Sequence, residues 1–225
     1  MKRITVLLAE DHNIVREGFR CLLKHESDIE VVGEAETGRQ AVQLTRKLRP
    51  AVVVMDIAMP LLNGMEATRQ IRKTCPDTKV LILSAHSDDA YVGQLIGLDV
   101  SGFLLKQTAS HVLVAAIREV SQGGTYFSPV IVRRLRDRFQ NAVVNGELSK
   151  RKNNQRSPRE MEVLQLIAEG MPNKQVAAEL GVSFKTADKH RQHLMGKLNI
   201  HDVAGLTRYA IAEGIIESTV RVDIT

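Results

Sequence analysis

At 225 residues the chain has room for two modest domains, and its net charge of +5, which falls wholly after residue 130, is a weak argument for nucleic acid on its own. Two cysteines, Cys21 and Cys75, are too few and wrongly spaced for a disulfide framework or a zinc site. The first apolar run stops after six residues at Glu10 and Asp11, too soon for a signal peptide or membrane span, so the expectation is a soluble cytoplasmic protein with no membrane partner.

Apolar runs that read as strands recur at "ITVLLA", "IEVVGEA", "AVVVM", "KVLILSA" and "SGFLLK". Between them, stretches such as "NIVREGFRCLLKH" and "TGRQAVQLTRKL" carry helical periodicity. Five strands alternating with helices predict an α/β domain over residues 1–125, a five-stranded doubly wound parallel sheet. Residues 126–156 read as a basic linker with a short helix, "VIVRRLRDRFQ"; from 131 to 156 they carry 8 basic and 2 acidic groups. A small all-α domain follows over 157–225. "SPREMEVLQLIAEG" opens it with Ser157 as N-cap, Pro158 in the first turn and Glu160 three residues past the cap. Next come a short helix, a turn containing Gly181 and a helix from about Ser183 to Leu198, the pattern of a helix-turn-helix. "DVAGLTRYAIAEG" supplies a fourth helix.

Strand ends carry the chemistry. The first ends in Glu10 and Asp11, the third in Asp56, the fourth in Ser84 and the fifth in Lys106, all on the edge of the sheet where open α/β folds bind ligands. Taken singly, Asp56 could be a turn former, Glu10, Asp11 and Ser84 could cap helices, and Lys106 could be a solvated charge. Taken together, three carboxylates that repel one another should bind a hard cation, with Mg²⁺ favoured because it shares phosphate oxygens. In that chemistry Asp56 attacks a phosphoryl group, the metal and Lys106 stabilise its oxygens, and Ser84 donates to the group once attached.

These residues resemble the receiver domain of bacterial response regulators over residues 3–123, through "ED" after the first strand, "MDIAMP", "LSA" and "GFLLK". The resemblance implies that Asp56 accepts a phosphoryl group from a sensor histidine kinase. It also implies that Asp11, Asp56 and the backbone carbonyl of Ala58 ligate Mg²⁺, with Glu10 acting indirectly. Glu10 departs from the commoner aspartate, and Phe103 stands where many relatives carry a switching tyrosine, without its hydroxyl. "SPREMEVLQLIAEG", "NKQVAAELGVS" and "KTADKHRQHLMGKL" resemble the LuxR-type helix-turn-helix over 157–212, and the whole chain resembles the NarL/FixJ group of response regulators. That implies a phosphorylation-controlled transcription regulator on double-stranded DNA, a homodimer when phosphorylated or DNA-bound, and no enzyme apart from slow self-phosphorylation and dephosphorylation. Val203, Leu206, Ala210 and Ile211 of the last helix either pair two DNA-binding domains or complete the domain core.

On the third helix of this domain Lys185, Asp188, Lys189, Gln192 and Gly196 share a face that could read bases, while Ala187, Leu194 and Leu198 can pack inward. Thr186, His190, Arg191 and Lys197 flank that face as candidate phosphate contacts. Asp188 either accepts from a cytosine amino group or forms a surface pair with Lys185 or Arg191. Two rival classes stand beside this reading. A phosphatase of the haloacid-dehalogenase type would need a second acid where Ala58 stands, and a pure interaction module would not need the Asp56, Ser84 and Lys106 set.

Overall fold

Apolar side chains line both faces of the inner strands, and the two faces sort by parity along each strand. In the computed structural model, which describes residues 3–85, 98, 100–107, 110–144 and 157–216, the strands are β1 (Ile4–Ala9), β2 (Ile29–Ala35), β3 (Val52–Asp56), β4 (Lys79–Ser84) and β5 (Gly102–Leu105). Leu7, Val53, Met55, Val80, Ile82 and Phe103 form one core with Ala41 and Val42 of α2 (Gly38–Leu48) and Met65, Ala67 and Ile71 of α3 (Gly64–Thr74). Val6, Leu8, Val54, Leu81, Leu83 and Leu104 form the other. They pack with Leu23 of α1 (Asn13–Lys24) and Leu113, Ile117 and Val120 of α4 (Ser110–Ser121). Alternate residues therefore bury against different helices, which is what a doubly wound parallel sheet requires.

The chain divides into two compact units, Met1–Gln155 and Arg156–Thr225. The sheet of the first has six parallel strands in the order β2-β1-β3-β4-β5-β6, one more than the sequence suggests. β6 (Tyr126–Phe127) is two residues long and pairs with Gly102 and Phe103. Two residues carry no periodicity, so the strand was hidden in a stretch that reads as linker. The helix after it, α5 (Pro129–Val144), begins inside the same unit, because Ile131 is fully buried in the α2/α3-side core. The rest of the expected linker, 145–156, lies outside the described residues.

The chain leaves β1 to one side for β2 and returns to the other side for β3. The loops following β1 and β3 therefore diverge and leave a crevice at the carboxyl edge, which is where Glu10, Asp11 and Asp56 stand.

The second unit has α6 (Pro158–Ala168), α7 (Asn173–Glu179), α8 (Phe184–Leu198) and α9 (Val203–Ala212). Its core takes Val163, Leu164, Leu166, Val176, Ala187, Leu194, Leu206 and Ala210, all buried. Ser157 and Glu160 form the capping box at α6. The short α7–α8 turn passes through Gly181 at φ +63°, a conformation cheap only for glycine, and Ser183 then caps α8 by accepting from the Thr186 N–H. Among the described residues, no helix is long and apolar enough to cross a membrane.

Candidate functional site

The carboxyl edge of the sheet brings four of the expected side chains into one pocket. Asp56 and Glu10 are almost fully buried, at 3 % and 2 % exposure. Lys106, just past β5, places Nζ 2.9 Å from Asp56 Oδ2 and 2.8 Å from Glu10 Oε2. Ser84 ends β4 buried, and its carbonyl accepts from the Lys106 N–H at 2.7 Å, so strand pairing fixes where the lysine leaves the sheet. Ala58 lies half-buried in the loop two residues beyond Asp56.

One oxygen or ring nitrogen from each of Glu10, Asp11, His12 and Asp56 lies within 4.8 Å of the others. Three carboxylates this close, with one lysine facing two of them, make a donor set suited to a hard divalent cation. His12 was not anticipated, although it follows the acidic pair directly. Its Nδ1 lies 2.9 Å from Asp11 Oδ1 and 3.1 Å from Glu10 Oε1. Arg16 was also missed. It is buried, donates from Nη1 to the Glu10 carbonyl at 2.8 Å, and pairs through Nε with Glu34 and through Nη2 with Glu36. The guanidinium thus pins the loop that carries Glu10, Asp11 and His12 to the end of β2. Phe103, expected to switch, is fully buried in the α2/α3-side core and pairs across strands with Ile82 and Phe127.

The loop after Asp56 is tightly built. Asp56 Oδ1 accepts from the Ile57 N–H at 2.8 Å, and the Gly64 N–H closes the loop onto the Ile57 carbonyl at 2.8 Å. Leu61 sits at φ +67°, a left-handed conformation that costs a leucine about 1–2 kcal/mol. Strain of this kind persists where the surroundings over-determine a loop, as they do beside Asp56.

Burial and the adjacent Glu10 charge push the Asp56 carboxyl up to about 6, although Lys106 pulls the other way. Burial alone would lower Lys106, but the charges of Asp56 and Glu10 outweigh it and raise it, so the ammonium stays charged at neutral pH. A carboxyl raised in the folded state contributes its stability below its ordinary pKa and loses it as pH rises through about 6. Asp56→Asn is therefore expected to stabilise the N-terminal unit in chelator at pH 8, by on the order of 1–3 kcal/mol, with the gain vanishing near pH 4. Urea unfolding of both proteins across that range checks this; an Asn variant less stable than wild type at pH 8 contradicts it.

In the second unit, α8 carries the expected basic side chains. Lys185, Thr186, Lys189 and Gln192 are exposed, and Asp188, His190 and Arg191 are partly covered. Ala187 and Leu194 pack inward as expected. Two contacts were not anticipated. Lys197, a candidate phosphate contact, also places Nζ 2.9 Å from Glu160 Oε2 and so ties α8 to the N-terminus of α6. Asp188 meets Asn173 and Gln192, at 2.8 and 2.7 Å, where Lys185 or Arg191 had been expected as its surface partner. Of the four apolar residues on α9, Leu206 and Ala210 are fully buried and complete the core, whereas Val203 and Ile211 remain 41 % and 38 % exposed.

Burial pushes Glu160 up, but the Ser157 N–H, Lys197 and His193 outweigh it and hold the carboxyl below its ordinary range. Its stabilisation is then present above that ordinary range and lost as pH falls through the lowered value. Glu160→Gln is expected to cost the C-terminal unit on the order of 1–3 kcal/mol at pH 7, and progressively less in acid. Thermal unfolding against pH reads this directly, and a variant as stable as wild type at pH 7 counts against the link.

The family model for the response regulator receiver domain matches residues 6–118, and that for bacterial regulatory proteins of the luxR family matches residues 155–210. The chain is 35 % identical to the transcriptional regulatory protein DegU of Brevibacillus brevis, across 98 % of this chain and 96 % of that one. Among solved structures, the RcsB response regulator of Salmonella typhimurium, described for its conformational dynamism in DNA interaction, matches at 28 % identity and a TM-score of 0.56. That match covers 94 % of this chain and 100 % of the other. A structure of two RcsB dimers bound to two parallel DNAs matches at 27 % identity and a TM-score of 0.56, over 94 % and 99 %. An acidic crevice at the sheet's switch point, a helix-turn-helix later in the chain and relatives alike over nearly their whole length place the chain in one family: it is a two-component response regulator of the NarL/FixJ group, a receiver joined to a LuxR-type DNA-binding domain that regulates transcription.

Proposed function

We propose that Asp56 is the phosphoryl acceptor and that its modification controls how the C-terminal unit binds promoter DNA. The observation that carries this is Lys106, whose ammonium faces both Asp56 and Glu10 within 3 Å at the mouth of the crevice. An Asp56 oxygen attacks phosphorus on a kinase phosphohistidine and the P–N bond breaks. Its electron pair stays on the imidazole nitrogen, which takes a proton from solvent. The resulting acyl phosphate places new negative charge beside Lys106, which can turn from the carboxylates to the phosphoryl oxygens.

Magnesium, when bound, would neutralise phosphoryl oxygens; Asp11, Asp56 and the Ala58 carbonyl would hold it, with Glu10 one step removed. Ser84 donates to the phosphoryl group. Ala58 offers no acid to protonate a leaving group, so the receiver's own phosphorylation and dephosphorylation are slow and the chain is a switch rather than a turnover enzyme. Ile14, 87 % exposed in the first turn of α1, gives an approaching sensor kinase an apolar foothold beside His12.

In the DNA-binding unit α8 enters the major groove, with Lys185, Lys189 and Gln192 toward base edges and Thr186, His190 and Arg191 toward phosphates. The exposed Val203 and Ile211 on α9 give two such units a surface for pairing on an inverted site. Mapping the bound sites genome-wide in cells carrying wild type or Asp56→Ala tests the proposal. Promoter sites should be occupied with the wild type and depleted in the variant; identical maps would exclude control through Asp56.

A further inference from the structure

Asp188 faces the same way as the side chains expected to read bases, yet both of its oxygens are engaged within the protein. Oδ1 accepts from Asn173 Nδ2 at 2.8 Å, across the helix-turn-helix, and Oδ2 accepts from Gln192 Nε2 at 2.7 Å, one turn along α8. Asn173 is held at its other end by Arg191, whose Nη1 donates to Asn173 Oδ1 at 2.8 Å. A cation on one side and a carboxylate on the other leave the Asn173 amide only one favourable orientation. The carboxylate passes that polarity on. Gln192 must turn Nε2 toward Asp188, because its carbonyl oxygen would be repelled there, so Oε1 and the second N–H face outward.

We propose that Asp188 is a positioning residue that fixes the Gln192 amide to read an adenine in the major groove and does not itself touch a base. An outward acceptor beside an outward N–H is the pattern that matches adenine N6 and N7. Left free, a glutamine on an exposed helix face rotates and flips, and its donor and acceptor exchange places. The network removes that freedom before DNA arrives, which is how a second layer of hydrogen bonds sharpens a binding constellation. The proposal rests on α8 being the helix that enters the groove.

The test is selection from random duplex DNA by the full-length protein, phosphorylated with acetyl phosphate and Mg²⁺. It is run for wild type, Asp188→Ala, Asp188→Asn, Gln192→Ala and the double variant Asp188→Ala with Gln192→Ala. Removing the negative charge tightens binding to all sequences alike, so the readout is the ratio between bases and not affinity. Gln192→Ala should lose preference for one A·T pair by about tenfold. Both Asp188 variants should lose preference at that same pair. The double variant should be no less selective than Gln192→Ala alone. Asp188→Asn keeps the shape and the Asn173 contact but has one acceptor oxygen for two donors, so its loss cannot be assigned to misfolding.

An Asp188→Ala motif identical to wild type overturns the proposal in favour of a surface network. Loss at a different pair, persisting when Gln192 is alanine, overturns it in favour of direct reading by Asp188. An unchanged motif in Gln192→Ala removes its premise. A wild-type protein that enriches no sequence at all fails at the earlier step, the entry of α8 into the groove, and is told apart from the other results by that alone.

Discussion

Incubation with acetyl phosphate and Mg²⁺ is expected to add one phosphoryl group to the protein, and Asp56→Asn is expected to remove that incorporation entirely. The size of the effect follows from the pocket's composition. Asp56 is the carboxylate that ends a strand buried on both faces, its side chain is 3 % exposed, and Lys106 stands 2.9 Å from it to receive the developing charge. Glu10 and Asp11 follow the neighbouring strand, β1, and each brings one oxygen within 4.8 Å of an Asp56 oxygen, where the proposed function gives them roles toward a cation rather than as nucleophiles. Asparagine keeps the shape and loses the attacking oxygen charge. Intact-mass measurement before and after incubation reads the result. Incorporation that persists in Asp56→Asn moves the acceptor elsewhere, Glu10 or Asp11 first. The free carboxylate is the reactive form, so in low Mg²⁺ the labelling rate should rise as pH passes through about 6.

Gly64→Ala is expected to cost the N-terminal unit several kcal/mol and most of its labelling. A β-carbon at position 64 would stand 1.9 Å from the Asp56 carbonyl oxygen and 3.1 Å from the Ile57 α-carbon. Those are backbone atoms, which no rotamer change can move. Relief requires α3 to withdraw from the end of β3, and that breaks the Gly64 to Ile57 hydrogen bond closing the Asp56 loop. Forcing extra atoms into a packed site typically costs about 1–3 kcal/mol, and a clash with backbone belongs at or beyond the upper end. Gly18 is the contrast. It lies inside α1 with nothing within 4 Å of an added β-carbon, so Gly18→Ala should stabilise by on the order of 0.5–1 kcal/mol. Urea unfolding of the three proteins, read beside their labelling, distinguishes the sites; a Gly64→Ala protein as stable and as reactive as wild type would show that the loop has slack.

What could be read beforehand was whatever depends on local sequence. Parallel strands end abruptly, so the first polar residue after each apolar run marks the carboxyl edge, and Glu10, Asp56, Ser84 and Lys106 could be placed there without coordinates. Ser157 with Glu160, and Gly181 between two helices, were legible for the same reason: caps and turns are decided within a few residues. Contacts spanning the fold were not. Lys197 meets Glu160 across 37 positions, so this ion pair could not be read from the sequence around the lysine. Asn173 is an ordinary helix-start residue until the turn brings it to Asp188. Arg16 reads as one more basic residue on an amphipathic helix, and only the neighbouring end of β2, with Glu34 and Glu36, makes it the anchor of the acidic loop. β6 is too short to have a period at all.

The claim that joins the two units is that a phosphoryl group on Asp56 changes DNA binding by α8. It is tested most directly by titrating one duplex, bearing a site taken from the selection, with full-length protein before and after phosphorylation, and with Asp56→Asn treated identically. The account predicts tighter binding by the phosphorylated wild type, by about tenfold or more, corresponding to about 1.4 kcal/mol of coupling, and no change for Asp56→Asn. Equal affinity of the two wild-type forms, or the same gain in Asp56→Asn, would contradict it.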